Sequence, residues 1–210
     1  MTVSADAVAR APRRRLHGRF WHQGSPQRRL EAVADPARSE GRYHRNGGPG
    51  VWYASDQEQA AWAELFRHFS EEGIDPFELL RRVGAANADG LEVLDLTDAL
   101  VLADLGLEHD DLVGDDYSLT QDLADAARRA GFQGLLGPSA ALPGRRTLAV
   151  FATGIEQLTF DRSRVRRPPP RMADLLAVIR LHPDAPEAAR RAVHLLALVG
   201  SETVRRLRRS

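Results

Sequence analysis

The chain has 210 residues, 43% hydrophobic and 28% charged, the balance of a globular domain with a core of its own rather than of a disordered or fibrous protein. Lys+Arg 29 against Asp+Glu 29 leaves no net charge, so bulk electrostatics call for neither nucleic acid nor an anionic membrane as partner. Every basic residue is Arg and there is no Cys, which excludes disulfides, thiolate nucleophiles, Cys-held metal centres, Schiff-base chemistry and a P-loop lysine.

Residues 1–17 carry Arg13, Arg14 and Arg15 but no apolar run of signal-peptide length, and are expected to be a flexible start of a cytoplasmic protein. No segment approaches the roughly 18 uninterrupted apolar residues of a membrane span. Residues 18–50, rich in Gly, Pro, Arg and aromatics, read as loops and short strands, with a hairpin turn at the GGPG of 47–50. Val51–Tyr53 reads as a short strand. Ser55 with Glu58 forms a capping box that opens a helix to about Ser70, and Asp75, Pro76 and Glu78 form a second that opens a helix to about Val83. Leu91–Leu96 alternates as a half-buried strand does.

The acidic stretch from Glu108 to Asp116 reads as a solvated loop, followed by a helix from Leu119 to Ala130 closed by Gly131. Phe132–Leu136 and Thr147–Ala152 are apolar runs of strand length joined by the exposed loop GPSAALPGRR. Residues 162–171, with three consecutive prolines, read as a stiff linker, and residues 172–210 as a short helical C-terminal extension.

The seven His residues never take a zinc-binding helical spacing, and HDDLVGDD lacks the ligand spacing of an EF-hand, so no metal is expected. On the first long helix, Trp62, Leu65, Phe66 and Phe69 share one face. At about 100° per residue Glu64 lies about 150° from its middle, beside Ala60 and Ala63, where a ligand could approach closely. Ser139 stands at the end of an apolar strand without a Gly-x-Ser-x-Gly elbow, which excludes a hydrolase triad of that kind. Arg–aromatic pairs, a Glu and a strand-end Ser suit a phosphorylated ligand with a flat ring and cleavage at a sugar carbon, where a carboxylate stabilises an oxocarbenium-like centre.

Two stretches, GRYHRNGGPGVWYASDQEQAAWAEL and DDYSLTQDLADAARRAGFQGLLGPSAALPGRRTLAVF, carry a resemblance. From about Gly18 to Phe160 the chain resembles the RES domain, a family of bacterial toxins named after its Arg, Glu and Ser. The resemblance implies an α+β fold over residues 18–161, a mixed β-sheet with surrounding helices similar to ADP-ribosyltransferase toxins. It also implies consumption of NAD+ as substrate, with no cofactor, by cleavage of the nicotinamide–ribose bond through phosphorolysis, hydrolysis or ADP-ribosyl transfer to a target protein.

Residue by residue, the resemblance makes Glu64, Arg42 and Ser139 the catalytic set. Arg42 holds phosphate or ribose, and Glu64 binds ribose hydroxyls and stabilises the transition state. Arg19 with Phe20 matches the earlier family Arg, Tyr43 completes the Gly-Arg-aromatic motif, and Tyr53 stacks on nicotinamide or orders the pocket. Thr147 stands where many members have Asn. A cognate antitoxin with a helix-turn-helix domain is implied, presenting a carboxylate or C-terminal segment to Arg42 and Arg19. Nucleic acid then belongs to the partner. The alternative reading is a non-enzymatic regulatory or nucleic-acid-binding module using the Arg-rich 162–171 stretch and Arg205, Arg206, Arg208 and Arg209.

Overall fold

The computed structural model describes residues 3–34, 37, 40–69, 76–169 and 172. Its frame is a seven-stranded mixed sheet with helices packed around it, an α+β fold. Two long strands dominate. β1 (Arg13–Gly24) and β3 (Arg81–Asp95) pair antiparallel from Arg13↔Leu94 to Gly24↔Arg82. The other edge of β3 is shared by β7 (Arg164–Arg166), β6 (Leu158–Phe160) and, in parallel, β4 (Gly134–Pro138). β5 (Arg146–Phe151) lies between β4 and β2 (Val51–Ser55), and β2 meets β1 at Ser55↔Trp21. The pairings β1–β2–β5–β4–β3–β1 therefore run in a closed circuit.

Inside that circuit Phe20, Trp52, Leu91, Leu136, Leu148 and Val150 form a core cluster. A second cluster lies beneath α1 (Ala5–Arg10), α3 (Ala99–Leu105), α4 (His109–Val113) and α5 (Ser118–Arg129). The third belongs to α2 (Glu58–Phe69), whose Trp62, Leu65 and Phe66 are buried with Val83, Ala141 and Met172. At about 25 cal/mol per Å² of apolar surface, burying Trp62 and Phe66 completely is what holds α2 on the sheet, since a helix of this length is marginal by itself.

Several expectations are corrected. The domain boundary expected at residue 18 falls inside β1. Residues 5–10 are helical rather than loose, with Ser4 Oγ accepting from the Ala7 amide and Val8 fully buried. Ser55 is the last residue of β2, so its capping box does not form. Asp75 lies outside the described residues. The helix expected to follow it is a single 3-10 turn, Pro76–Glu78, after which pairing with β1 draws the chain into β3. The expected strand at Leu91–Leu96 is the second half of that element.

The acidic loop contains a helix, α4, where the Glu108 amide donates to Asp111 Oδ2. Most of the loop after β4 is buried rather than exposed, with Ser139, Ala140, Ala141 and Leu142 all covered. The expected linker is part of the sheet at β7, and Pro168 is buried. Apart from Met172, the expected helical extension lies outside the described residues.

Candidate active site

Elements that are distant in sequence converge on a cavity of about 580 Å³, within the usual range for a small-molecule site. Its walls come from the end of β1, from β2, from α2, from the turn at Gly41–His44, from Tyr117 and from the segment Pro138–Ala140 with Thr147. Five arginines line it, at positions 28, 29, 42, 67 and 81, against two carboxylates, Glu40 and Glu64. The lining is strongly cationic although the chain as a whole is neutral. Such a surface attracts phosphate and focuses field into a low-dielectric cleft.

Glu64 is half-buried on α2, flanked by the buried Ala60, Ala61 and Ala63, whose small side chains leave the space in front of its carboxylate open. Two hydroxyls converge on one of its oxygens. Ser139 Oγ donates to Oε1 at 2.7 Å and Thr147 Oγ1 donates to the same atom at 3.2 Å. Ser139 Oγ in turn accepts from the Leu142 amide at 3.0 Å, which holds the hydroxyl oxygen in place. Oε2 has no hydrogen-bond partner among the described residues, so the outer oxygen is available to a ligand. The arrangement holds the carboxyl group rigidly at the wall of a cationic cavity, suited to stabilising positive charge that develops on a sugar carbon.

Arg42 is anchored by Nη1, which donates to the carbonyls of Leu112 and Gly114, each at 2.8 Å, while its guanidinium lies 4.8 Å over the Tyr117 ring. No carboxylate pairs with it among the described residues. Its turn closes on itself through Gly41 and His44. A Cβ at Gly41 would come 2.6 Å from His44 Cε1, which explains the Gly of the Gly-Arg-aromatic motif.

A clamp from α5 holds this turn. Gln121 Nε2 donates to the carbonyls of Gly41 at 3.1 Å and His44 at 3.3 Å, and its Oε1 accepts from Arg45. Arg45 also pairs with Asp122 and Asp125, and Arg128 donates to the Tyr43 carbonyl.

Tyr43 and Tyr53 stack on each other with centroids 6.4 Å apart. The Tyr53 hydroxyl accepts from the Tyr43 amide at 3.0 Å and meets His44 Nδ1 at 2.9 Å, so Tyr53 orders the turn from beneath while also lining the cavity. The Tyr43 hydroxyl is buried without a partner among the described residues. Burial pushes its pKa up to about 12, so it keeps its proton. It occupies the space above Gly137, where a Cβ would come 2.6 Å from it.

Arg19 and Phe20 are not brought to the cavity. Arg19 is half-exposed, paired with Asp161 at 2.6 Å and stacked on Trp21, and Phe20 is in the core inside the strand circuit. The residues of β1 that reach the cavity are Trp21, His22, Gln23 and Gly24. Sequence reasoning also missed Arg67, which is 6% exposed and paired with Asp115, as well as Arg28, Arg81, Tyr117 and the α5 clamp. A hint of two of these was visible. Arg67 is three residues from Glu64 and so shares its helix face, and Gln121 belongs to the Thr-Gln pair of the quoted motif.

The RES domain model matches residues 8–168. The chain belongs to the RES domain family. The chain is 54% identical over 205 residues to the probable NAD(+) phosphorylase Rv3189 of Mycobacterium tuberculosis, covering 98% of each protein. It is 33% identical over 110 residues to the NAD(+) phosphorylase MbcT of Mycobacterium bovis, covering 51% of this chain and 56% of that one. Among solved structures it resembles a chain in the crystal structure of the Mycobacterium tuberculosis MbcT-MbcA toxin-antitoxin complex. The TM-score is 0.69 at 25% identity, over 78% of this chain and 92% of that one. The RES match starts within α1 and ends beyond β7, so the whole strand circuit lies inside it.

Among the described residues no group of His, Asp and Glu is arranged to hold a metal ion. No helix among them is long and apolar enough to cross a membrane.

Proposed function

We propose that this protein is a toxin that cleaves NAD+ at the nicotinamide–ribose bond, with inorganic phosphate as acceptor, and that a cognate antitoxin neutralises it. The observation that carries the reading is the Glu64 carboxylate, tied through Oε1 to Ser139 and Thr147 at the wall of an arginine-lined cavity. The NAD(+) phosphorylase names of the similar proteins Rv3189 and MbcT support it.

In this mechanism Arg42 binds a phosphate of the dinucleotide with the guanidinium nitrogens that its carbonyl anchors leave over. Glu64 Oε2 accepts from a ribose hydroxyl and stabilises the oxocarbenium-like centre as the bond to nicotinamide breaks. Nicotinamide departs as a neutral molecule, so no general acid is needed. Ser139 and Thr147 position Glu64, and the buried Tyr43 packs against Gly137 in the cavity wall. Tyr53 acts through the Gly41–His44 turn.

The scaffold is of the kind used by ADP-ribosyltransferase toxins, and the reaction belongs in the cytoplasm, where NAD+ and phosphate are both abundant. The antitoxin carries a helix-turn-helix domain and presents an acidic or C-terminal segment to Arg42. Water or a target protein in place of phosphate is the competing fate of the ADP-ribose. No observation favours a nucleic-acid-binding reading of the Arg-rich stretch, because Arg166 and Arg167 are paired with Glu58 and Glu78.

The test is to incubate the purified chain with NAD+ and follow nicotinamide release with and without phosphate. Release that depends on phosphate, with ADP-ribose 1-phosphate as co-product, is expected. No NAD+ loss in either condition overturns the proposal, and equal loss in both replaces phosphorolysis with hydrolysis.

A further inference from the structure

One end of the cavity carries a second set of polar groups that the mechanism above does not use. His22 lies flat on Trp52, ring centroids 5.1 Å apart, and its Nδ1–H donates to the Tyr53 carbonyl at 2.6 Å. That bond fixes the tautomer. Nδ1 carries the proton, and Nε2, which has no partner among the described residues, presents a lone pair.

Two arginines flank the same end. Arg81, the first residue of β3, has Nε donating to Gln23 Oε1 at 2.8 Å, and Arg28, at the mouth, has Nη2 donating to the Val33 carbonyl at 2.8 Å. Neither pairs with a carboxylate among the described residues, and both line the cavity. Burial first, then the positive charges of Arg81 and Arg28, push the His22 pKa down to about 4, against the opposing pull of the Tyr53 carbonyl. Near neutral pH the site is therefore two guanidinium donors beside an imidazole that can only accept at Nε2.

This combination discriminates among anions. The diphosphate bridge of a dinucleotide bears no proton near neutrality, and a bare acceptor nitrogen repels it. The dianion of inorganic phosphate, HPO4²⁻, has anionic oxygens for the two arginines and one P–OH that can donate to an acceptor. The register Trp21↔Ser55↔Thr147 sets His22 beside β2 and two strands from Thr147, about 10 Å at the usual strand spacing, and Thr147 touches Glu64. His22, Arg28 and Arg81 line the same cavity as Glu64 and Thr147, so a group of phosphate size bound here shares one chamber with the sugar carbon in front of Glu64.

We propose that His22, Arg28 and Arg81 form the acceptor seat, which takes inorganic phosphate with the guanidiniums on its anionic oxygens and His22 Nε2 accepting from its P–OH. The assignment rests on the phosphorolytic reading of the same cavity. An anionic phosphate oxygen forms the bond to the anomeric carbon, the carbon–nitrogen bond breaks, and its electron pair goes to the ring nitrogen of nicotinamide, which loses its positive charge. The P–OH proton stays on the phosphate, so no base is consumed.

Sulfate, which matches phosphate in shape but carries no proton near neutrality, is the discriminating probe. In calorimetric titrations of the full chain, inorganic phosphate is expected to bind about tenfold more tightly than sulfate, the value of one hydrogen bond to a charged group. Arg81→Gln and Arg28→Gln are each expected to weaken both anions by about tenfold. His22→Phe, which keeps a ring on Trp52, removes the preference for phosphate. Arg28 is exposed, so Arg28→Gln carries the test even where the Arg81 variant fails to fold.

Equal binding of phosphate and sulfate by the unmodified chain overturns the seat, as does unchanged anion binding in the folded Arg variants. In turnover, the three variants raise KM for phosphate and leave KM for NAD+ nearly unchanged. The reverse pattern assigns the pair to the dinucleotide and overturns the proposal. Phosphate preference in a protein that releases no nicotinamide leaves the seat standing and removes phosphorolysis. Phosphate-dependent release with an unaltered KM for phosphate in all three variants does the opposite.

Discussion

Ser139 Oγ donates to Glu64 Oε1 at 2.7 Å while accepting from the Leu142 amide at 3.0 Å. The amide holds the Ser139 oxygen in place, and the hydroxyl proton is given to the carboxylate. Glu64→Gln keeps the shape and an oxygen for Ser139 but removes the charge. Nicotinamide release is expected to fall on the order of 100-fold or more, the scale of removing one preorganised electrostatic group, with thermal unfolding little changed. Undiminished turnover in the folded variant rejects the role of Glu64.

Ser139→Ala leaves Thr147 still holding Glu64 Oε1. We expect kcat to fall by about tenfold, less than for Glu64→Gln, with KM for NAD+ nearly constant, because the residue acts through the carboxylate. The buried Leu142 amide also loses its acceptor, costing on the order of 1–3 kcal/mol of stability, readable in a denaturant titration.

Arg42→Lys should be nearly as damaging as Arg42→Ala. The two carbonyls that take Nη1 would capture the single ammonium of a lysine, leaving nothing to fork onto phosphate. The measurement is KM for NAD+ in both variants, and recovery of most activity by Lys would reduce Arg42 to a general positive charge.

Gln121→Glu separates the two halves of the α5 clamp. A carboxylate still accepts from Arg45 but cannot donate to the carbonyls of Gly41 and His44, so the turn bearing Arg42 loosens while the helix stays in place. Affinity for NAD+ is expected to drop about tenfold, two neutral hydrogen bonds being lost, with a smaller change in kcat. Gln121→Ala, which loses both halves, should be worse, and equal effects would show that the Arg45 contact carries the clamp.

His22 adds a pH dependence to stability. Its folded pKa of about 4 lies below the unfolded value of 6.5, so between those limits the unfolded chain binds a proton that the native one refuses. Stability is then full above pH 6.5 and falls as pH drops toward 4, by on the order of 3 kcal/mol from this group. His22→Phe removes this component, so the ratio of wild-type to variant stability should decline over that window in denaturant titrations at several pH values. A constant ratio argues against a buried neutral imidazole.

Much of the frame was legible in the amino-acid pattern, and its gaps have local causes. α5, β2, β4 and β5 stand near their expected places because Leu123, Trp52, Leu135 and Val150 sit in clean periodic runs. β1 escaped because a register irregularity at Leu16/His17 breaks its alternation. The first half of β3 escaped because Gly84, Ala85, Ala86 and Ala88 are small enough to hide theirs. A capping signature at Pro76 and Glu78 could not compete with pairing along the whole of β1.

In the site, Glu64, Ser139 and Arg42 were nameable from motifs, and all three line or adjoin one cavity. Arg19 stands outside the cavity, paired with Asp161, because nothing in RFWH reveals where along the strand the cavity begins. Arg28 and Arg81 lie more than fifty positions apart and come together only through the β1–β3 ladder and the loop beside it.

The position of β5 between β2 and β4 has a consequence for synthesis. A ribosome delivers Arg42 and Glu64 early, yet the strand carrying Thr147 is inserted into the middle of a sheet whose flanking strands have already emerged. Until β5 arrives, the chain holds the Glu64 carboxylate without Thr147 and without the strand that joins β2 to β4. Under the proposed function, the cavity is complete only once β5 has taken its place between β2 and β4.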